Sequence, residues 1–315
     1  MVAEAYRFRT STFVAGLLAA LCGFGSGQAL AQDPAPTRVD DIVVEGRPLE
    51  AVVDDFIDEV IAPPVGRGPA RWRASVCVGV ANLQRETAQL LVDQVASVAL
   101  RVGLDIGEPG CSPNVLIIAT DDGPGVARAL VSARPRVFRP QYSGAAASSE
   151  ALDRFQATDA AVRWWHVSMP MIRDTNRPGV RMPGEPPPVI YKQTGLLRTE
   201  IRNDLQKVII IVDLTRADGR DFAQLGDYIG MVALAQVDAD ADTSTHDTVL
   251  NLFQPGSPPG LRLTDWDVSF LEALYDAELN ARLRSGQLGE VVRGMVRRRS
   301  QTTDAEPSSE DQPVD

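Results

Sequence analysis

An α/β fold is the class that the sequence predicts, and two observations support it. Short apolar or alternating runs typical of strands are separated by longer segments with helical periodicity. The clearest helical segment, Leu83 to Val102, lies between two such runs. We therefore expect a mixed, twisted sheet flanked by helices, with a helical C-terminal subdomain. An α+β arrangement is the alternative.

The first residues have the three parts of a cleavable export signal. Arg7 and Arg9 precede an uncharged run from Thr12 to Phe24, and Ala29-Leu30-Ala31 follows it. The uncharged run is shorter than the roughly 20 residues that span a bilayer, which favours a signal peptide over an anchor. We predict a signal peptide over residues 1–31, export to the periplasm or the medium, and no transmembrane anchor.

Residues 32–70 are predicted to form a lead-in to the main domain. A short strand from Ile42 to Val44 is expected first, followed by a helix from Leu49 to Ile61 with its apolar residues on one face. Prolines and glycines after this helix interrupt the pattern. The main domain is predicted to cover residues 71–299.

The main domain is expected to begin with two strands joined by the long helix. An alternating strand from Trp72 to Val80 precedes that helix, and a buried strand from Asn114 to Ala119 follows it. A second helix is expected from Pro124 through Ala133, because proline is favoured in the first turn of a helix. If the two strands are parallel, their connection is right-handed.

Residues 134–198 contain many prolines and are predicted to be an irregular loop region. Two short strands are expected within it, from Val162 to Met169 and from Val189 to Gln193. Beyond it, Lys207 to Val212 has the composition of a central strand, and Asp221 to Val237 has the periodicity of a helix. So long an irregular region inside a compact domain indicates a functional loop or a mobile insertion.

The C-terminal part is predicted to be helical and then disordered. Thr264 or Asp265 is expected to cap a helix that continues through Leu283, and a last helix is expected from Leu288 to Met295. Residues 300–315 are acidic and almost free of large apolar residues, which predicts a disordered tail.

Cysteine usage agrees with export. Once Cys22 is removed with the signal, Cys77 and Cys111 remain as an even pair in an oxidising compartment. A disulfide between them would close a loop of roughly 35 residues, which is worth about 3–4 kcal/mol on the chain-entropy model. A reactive thiol or a metal-binding pair is the alternative.

The charge of the chain limits its partners. The formal net charge is −11, and a nucleic-acid partner requires a basic surface. We therefore expect no nucleic acid, and consider an envelope protein or a peptide as the partner.

Complete catalytic signatures are absent from the sequence beyond the signal. It has no G-x-S-x-G elbow, no Walker lysine, no G-x-G-x-x-G after a strand and no C-x-x-C pair. The two histidines, His166 and His246, are 80 residues apart, so neither H-E-x-x-H nor a three-histidine zinc site can form. We therefore expect neither a metal nor a cofactor.

An acidic run resembles the first half of a calcium-binding loop. It places aspartates at 238, 240 and 242, but Thr243 stands where glycine should turn the chain and Val249 where a bidentate Glu should close the loop. A solvated turn is the preferred interpretation, with a loose calcium contact as the alternative.

Two groups of residues are weak candidates for a site. Asp227 and Tyr228 lie in a predicted helix, where they could act as an acid and a base, although such a pair more often forms a structural hydrogen bond. Trp164 and Trp165, beside His166, could form an aromatic platform for a sugar or a peptide. Core packing is the more frequent role of such aromatic residues.

The order of these elements resembles that of metzincin-type zinc peptidases. Thr248 to Phe253 and the motif Leu263-Thr264-Asp265-Trp266-Asp267, which leads into Leu271 to Tyr275, resemble the end of those enzymes. The layout is also similar to that of secreted proteobacterial families of unknown function. Where the peptidases carry H-E-x-x-H-x-x-G-x-x-H, this chain reads Gln224 to Met231 with no zinc ligand. The resemblance implies a zincin-like scaffold that has lost its metal and its peptidase chemistry.

Together these observations favour a non-catalytic periplasmic or secreted binding protein on a peptidase-like scaffold. The alternative is an extracytoplasmic hydrolase that uses carboxylates, with Asp227 and Tyr228 as its residues. A deep pocket that joins Asp227 to Trp164 or His166 would favour the enzyme, and a fully hydrogen-bonded Asp227 would favour binding.

Overall fold

The fold is known from a computed structural model that describes residues 46–140, 147–190, 195–217 and 219–305, apart from the side chains of 303–305. The predicted signal peptide, the strand from Ile42 to Val44 and the tail beyond residue 305 lie outside the described residues. The fold below is that of the unit that begins at Gly46.

Four strands form one mixed sheet, as the sequence predicts. They are β1 (Val78–Ala81), β2 (Val115–Thr120), β3 (Val162–Ile172) and β4 (Ile201–Asp213), in the order β1-β2-β4-β3. β1, β2 and β4 are parallel, and β3 lies antiparallel to β4. The predicted α/β class is therefore confirmed.

Helices cover both faces of the sheet. In chain order they are α1 (Leu49–Val60), α2 (Arg85–Arg101), α3 (Gly123–Ala133), α4 (Pro135–Phe138), α5 (Ser149–Ala157), α6 (Phe222–Leu234), α7 (Asp265–Asp276) and α8 (Arg284–Ala305). A short 3-10 helix, Val249–Phe253, precedes α7. Apolar residues of α3, α4 and α5 form a small core on one face, and those of α1, α2, α6, α7 and α8 form a larger core on the other.

Successive side chains of β4 point alternately into the two cores. Val208, Ile210 and Val212 point into the larger core, and Ile209 and Ile211 point into the smaller one. All five side chains are buried. This explains why the strand has a continuous apolar run, as strands covered on both faces do.

Two glycines allow α6 to pack closely against α2. A Cβ atom added at Gly226 would lie 2.6 Å from Cγ of Gln94, and one added at Gly230 would lie 2.9 Å from Cγ2 of Val98. Gly226 and Gly230 are four residues apart and therefore lie on one face of the helix. Their lack of side chains brings the α6 backbone against α2.

The buried end of α6 is satisfied by donors from distant parts of the chain. The last four carbonyls of a helix have no partner within the helix. Here the carbonyl of Val232 accepts from His166 at 2.7 Å, that of Ala233 from the Trp72 indole at 2.9 Å, and that of Leu234 from the Tyr275 hydroxyl at 2.8 Å. The amide of Ala235 donates to the remaining carbonyl, at Met231.

The predicted disulfide between Cys77 and Cys111 is formed. It joins the residue that precedes β1 to the segment that leads into β2. Within the described ranges, the helices are all too short or too polar to cross a membrane.

Several boundaries differ from the predicted ones. The predicted loop region, 134–198, contains α4, α5 and all of β3, whereas Val189 and Ile190 are not in a strand. The predicted helix through Leu283 ends at Asp276, because Arg71 binds carbonyls of its last turn and the next residue, Ala277, is extended. Residues 300–305 belong to α8 rather than to a disordered tail.

The cap predicted at Thr264 or Asp265 is a capping box at Thr264, and it contains a fully buried carboxylate. Asp267 accepts hydrogen bonds from the Thr264 amide at 3.0 Å, from the Val249 amide at 2.8 Å and from the Thr248 hydroxyl. Burial raises the pKa of this carboxyl group to about 6, and these hydrogen bonds oppose the increase. Asp267 therefore ties the start of α7 to the 3-10 helix before it.

We predict that Asp267→Ala lowers the free energy of unfolding by about 2–4 kcal/mol. The substitution removes the capping box and leaves the buried Val249 amide and Thr248 hydroxyl without an acceptor. The control is Asp265→Ala in the same helical turn, where the side chain is exposed and the expected loss is under about 1 kcal/mol. Urea denaturation measures both, and equal losses would contradict the proposed network.

Candidate functional site

Asp227 is a buried carboxylate with a complete set of partners. Its Oδ1 accepts from Nε2 of Gln94 at 2.5 Å, and its Oδ2 accepts from Nε of Arg262 at 2.6 Å and from the Leu263 amide at 2.9 Å. The side chain is 5% exposed. These contacts join α6 to α2 and to the segment before α7, which favours a structural role over an acid or base role.

Tyr228 belongs to an aromatic cluster in the larger core. Its ring meets Trp164 and Phe253 edge to face, with centroid distances of 6.1 and 5.1 Å. Burial raises the pKa of the phenol far above its usual value, so the hydroxyl stays protonated. Asp227 and Tyr228 are neighbours in sequence, but their side chains make separate contacts.

Trp164 and Trp165 do not form an aromatic platform, because successive residues of a strand face opposite sides of the sheet. The Trp164 indole donates to the Val237 carbonyl at 3.0 Å in the larger core. Trp165 packs against Phe138 and Phe155 in the smaller core. Both indoles are buried, so neither presents a ring face to a ligand.

His166 is held inside the protein as a neutral side chain. Burial lowers its pKa to about 4, and hydrogen bonds to the backbone of Val232 and Ala235 act in the opposite direction. Because Nε2 donates to the Val232 carbonyl, that nitrogen has no lone pair for a metal. His246 packs against Phe56 and Trp266.

The acidic turn at 238–242 uses its carboxylates locally. Asp238 accepts from the Asp240 amide at 3.0 Å, Asp242 accepts from the Ser244 hydroxyl at 2.6 Å, and Asp240 pairs with Arg154 at 2.7 Å. Such contacts are typical of Asx turns. Across the part of the chain that the structure describes, three or more His, Cys, Asp or Glu side chains are nowhere grouped to hold a metal ion.

The structure reveals a different candidate, a cleft beside the start of β4 with a volume of about 340 Å³. Its apolar walls include Trp72, Met171 and Leu205. It continues into a narrow space that shares some of its residues. We call the whole space the arginine cleft, after the four side chains that border it: Arg71, Arg73, Arg173 and Arg202.

Arg71 reaches the cleft because its backbone pairs with β4. The Leu205 amide donates to the Arg71 carbonyl at 2.9 Å, and the Arg71 guanidinium donates to the carbonyls of Leu274 and Tyr275 in the last turn of α7. Burial, with a smaller contribution from the charge of Arg73, lowers the pKa of Arg71 to about 10. The guanidinium is therefore still charged at neutral pH.

Arg202 is fixed by an ion pair with Asp204. Nε of Arg202 lies 2.9 and 3.1 Å from the two carboxylate oxygens, and Nη2 donates to Oδ1 of Asn176 at 2.6 Å. Both members of the pair are largely buried. Arg202 is thus a rigid part of the wall rather than a free cation.

Arg73 and Arg173 have donors that the protein does not use. Nη2 of Arg173 donates to the Leu279 carbonyl, but its buried Nε has no hydrogen-bond partner. Arg73 is exposed, and no described residue forms a hydrogen bond or ion pair with its guanidinium. Burial, followed by the charges of Arg73 and Arg202, lowers the pKa of Arg173. The charges of Glu200 and Glu290 oppose this decrease, so Arg73 is the cation of the cleft that lacks a close acidic partner.

The cleft suits an anion, because guanidinium groups present planar, paired donors to carboxylate and phosphate oxygens. Its lining contains four arginines and two carboxylates, Asp204 and Glu278, and the charges of Glu200 and Glu290 also act on Arg173. Asp227, Tyr228, Trp164, Trp165 and His166 do not line it. This site could not be predicted from the sequence, because its arginines come from three separate segments. The one local signal was the alternation Arg71-Trp72-Arg73, which places two arginines on one side of an extended segment.

No protein-family model, no curated protein and no solved structure matches the chain.

We predict that His166 makes the protein less stable at acidic pH. Its pKa is lowered from 6.5 in the unfolded chain to about 4 in the fold, so stability is lost as the pH falls through that window. His166→Gln retains a donor for the Val232 carbonyl but does not titrate. The difference in unfolding free energy between wild type and variant should change by about 3 kcal/mol from pH 7 to pH 4.

Urea denaturation at several pH values measures this difference. The pKa of Asp267 is raised, so its contribution to the pH dependence of the unfolding free energy has the opposite sign over a similar pH range. Asp267 is present in both proteins, so this contribution cancels in the difference. Parallel pH profiles for the two proteins would show that His166 is not a buried neutral group.

Proposed function

We propose that this chain is an exported, non-catalytic binding protein that holds an anionic ligand in the arginine cleft. One observation carries the proposal: the exposed guanidinium of Arg73 lines the cleft with its donors unused, and the lining residues comprise four arginines and two carboxylates. A bound carboxylate or phosphate would supply the missing acceptors and neutralise the charge. The apolar walls at Trp72 and Met171 would contact the rest of the ligand.

The side chains of the cleft support binding rather than catalysis. Its carboxylates are already paired, Asp204 with Arg202 at 2.9 Å and Glu278 with Arg198 at 3.8 Å. Its guanidinium groups remain protonated at neutral pH and do not act as bases. A general base or a nucleophile needs a free lone pair, and among the described residues no histidine, cysteine or serine borders the cleft.

The peptidase-like scaffold is part of the same proposal. The Leu-Thr-x-x-Asp motif behind the resemblance has a physical role in this chain, because Thr264 and Asp267 cap α7. The segment that replaces the zinc-binding motif serves packing, with Gly226 and Gly230 against α2. The alternative hydrolase has less support, since Asp227 is enclosed by Gln94 and Arg262.

Export is proposed from the N-terminal signal and is consistent with the Cys77–Cys111 disulfide. We predict that protein recovered from the envelope or medium of a bacterial host begins at Gln32, because Ala29-Leu30-Ala31 fits signal peptidase. N-terminal sequencing checks the cleavage site, and thiol titration after denaturation should find no free cysteine. A chain that keeps Met1, or a lipid on Cys22, would contradict this assignment.

The binding proposal predicts that Arg73→Ala weakens anion binding about 10- to 100-fold, because the variant removes charge-assisted hydrogen bonds. Isothermal titration of the exported chain with inorganic phosphate and with succinate, at low ionic strength, measures the affinity. Arg136→Ala is the matched control, since Arg136 is also exposed but lies on α4, outside the cleft. Added salt should weaken binding of both probes. The proposal fails if wild type binds neither probe, or if the two variants behave alike.

A further inference from the structure

Exposed leucines stand beside the narrow part of the arginine cleft. The turn Gly195–Arg198 presents Leu196 and Leu197, which are 85% and 83% exposed. The Leu197 carbonyl accepts from the Arg282 amide at 2.9 Å, and the next residue, Leu283, is 69% exposed. Three of the most exposed apolar side chains in the described chain therefore share one small region.

The segments that carry these leucines also wall the cleft. Arg198 pairs with Ala281 across an antiparallel bridge, and its guanidinium lies 3.8 Å from Glu278. Glu278 and Leu279 border the narrow part of the cleft, where the Leu279 carbonyl accepts from Arg173. The leucines thus flank the place where the unused donors lie.

A second exposed apolar turn is attached to the same region. Val65, which is 97% exposed, lies in the turn Pro64–Arg67. Two hydrogen bonds hold this segment to Asn203, which borders the cleft. The Arg67 guanidinium donates to Oδ1 of Asn203 at 3.3 Å, and Nδ2 of Asn203 donates to the Gly68 carbonyl at 3.2 Å. The turn with Val65 is therefore held to a residue that borders the cleft.

The same region is strongly basic although the chain is acidic. We call residues 61–76, 173–179, 195–206 and 278–284 the basic end of the molecule. It contains nine arginines and four carboxylates, whereas the whole chain has a net charge of −11. Charge of one sign is therefore concentrated where the leucines are exposed.

We propose that the basic end docks on a bilayer surface with anionic phosphate headgroups, and that the arginine cleft takes one headgroup phosphate. Leu196, Leu197 and Leu283 enter the boundary between headgroups and acyl chains, as apolar residues of interfacial proteins do. The arginines around them are attracted to the negative surface. This inference rests on the proposed anion binding and specifies the source of the anion.

A lipid surface fits this region better than a folded protein partner. Protein interfaces place aromatic anchors in a packed, desolvated centre, whereas the exposed apolar residues here are aliphatic and lie at the tips of turns. A fluid bilayer accepts separate protruding side chains without a complementary shape. Headgroup phosphates also match the paired donors of arginine.

The test measures binding of the exported chain to two kinds of vesicle. One contains phosphatidylcholine with phosphatidylglycerol, and the other contains phosphatidylcholine alone; sedimentation gives the partition coefficient. Wild type should bind the anionic vesicles and should bind the neutral ones at least tenfold more weakly. Arg73→Ala should reduce the partition coefficient roughly fivefold, the equivalent of one arginine at an anionic surface.

A pair of double variants separates insertion from charge. Leu196→Ser with Leu197→Ser should reduce binding to anionic vesicles at least tenfold while leaving phosphate binding in solution unchanged. The matched control is Leu90→Ser with Leu100→Ser, because these leucines are 59% and 61% exposed on α2, away from the cleft. The control should bind like wild type, and circular dichroism confirms that each variant is folded.

Each contrary outcome has a separate meaning. No binding to anionic vesicles, with phosphate binding that still depends on Arg73, would overturn the membrane proposal and leave the anion site standing. If the wild type binds neither anionic vesicles nor phosphate in solution, both proposals are overturned. Binding to soluble polyglutamate but not to vesicles, lost in the Leu196 and Leu197 variant, would indicate an acidic polypeptide and also overturn the lipid proposal.

Discussion

The buried end of α6 constrains much of this structure. A helix end without access to water must find donors for its last carbonyls, since an unpaired buried polar group costs about 1–3 kcal/mol. In this protein the donors are His166 from β3, Trp72 from the segment before β1 and Tyr275 from α7. The helix therefore fixes three parts of the chain that are far apart in sequence, and the segment with Trp72 also carries Arg71 and Arg73.

This constraint accounts for the polar residues that first attracted functional interpretations. Asp227 is buried and His166 is partly buried where α6 packs in the core, and each takes a hydrogen-bond partner there. The hydrogen bonds of His166 and Asp227 are therefore structural. Arg73 differs from these residues, because its guanidinium is exposed in the arginine cleft and its donors are unused.

Charge illustrates why a whole-chain property can hide a local one. A net charge of −11 argues against a polyanionic partner for the average surface. Folding nevertheless collects nine arginines into one end, because the backbone of Arg71 pairs with β4 and the turns around Arg67 and Arg198 attach to the same strand region. Attraction between charges depends on distance, so the local arrangement rather than the net charge sets the electrostatic field near this region.

The sequence by itself determined the α/β class, the main strands and helices and the disulfide, because periodicity, capping residues and cysteine parity are local or compositional signals. It also limited the cap of α7 to Thr264 or Asp265, and the structure shows that Thr264 is the cap. The tertiary structure alone decided where α7 ends, since Arg71 binds its last turn from about 200 positions away in the chain. It likewise decided that Trp164 and Trp165 serve different cores, and that arginines from three segments form one cleft. Contacts between residues distant in sequence leave no periodic signal, so only the folded chain reveals them.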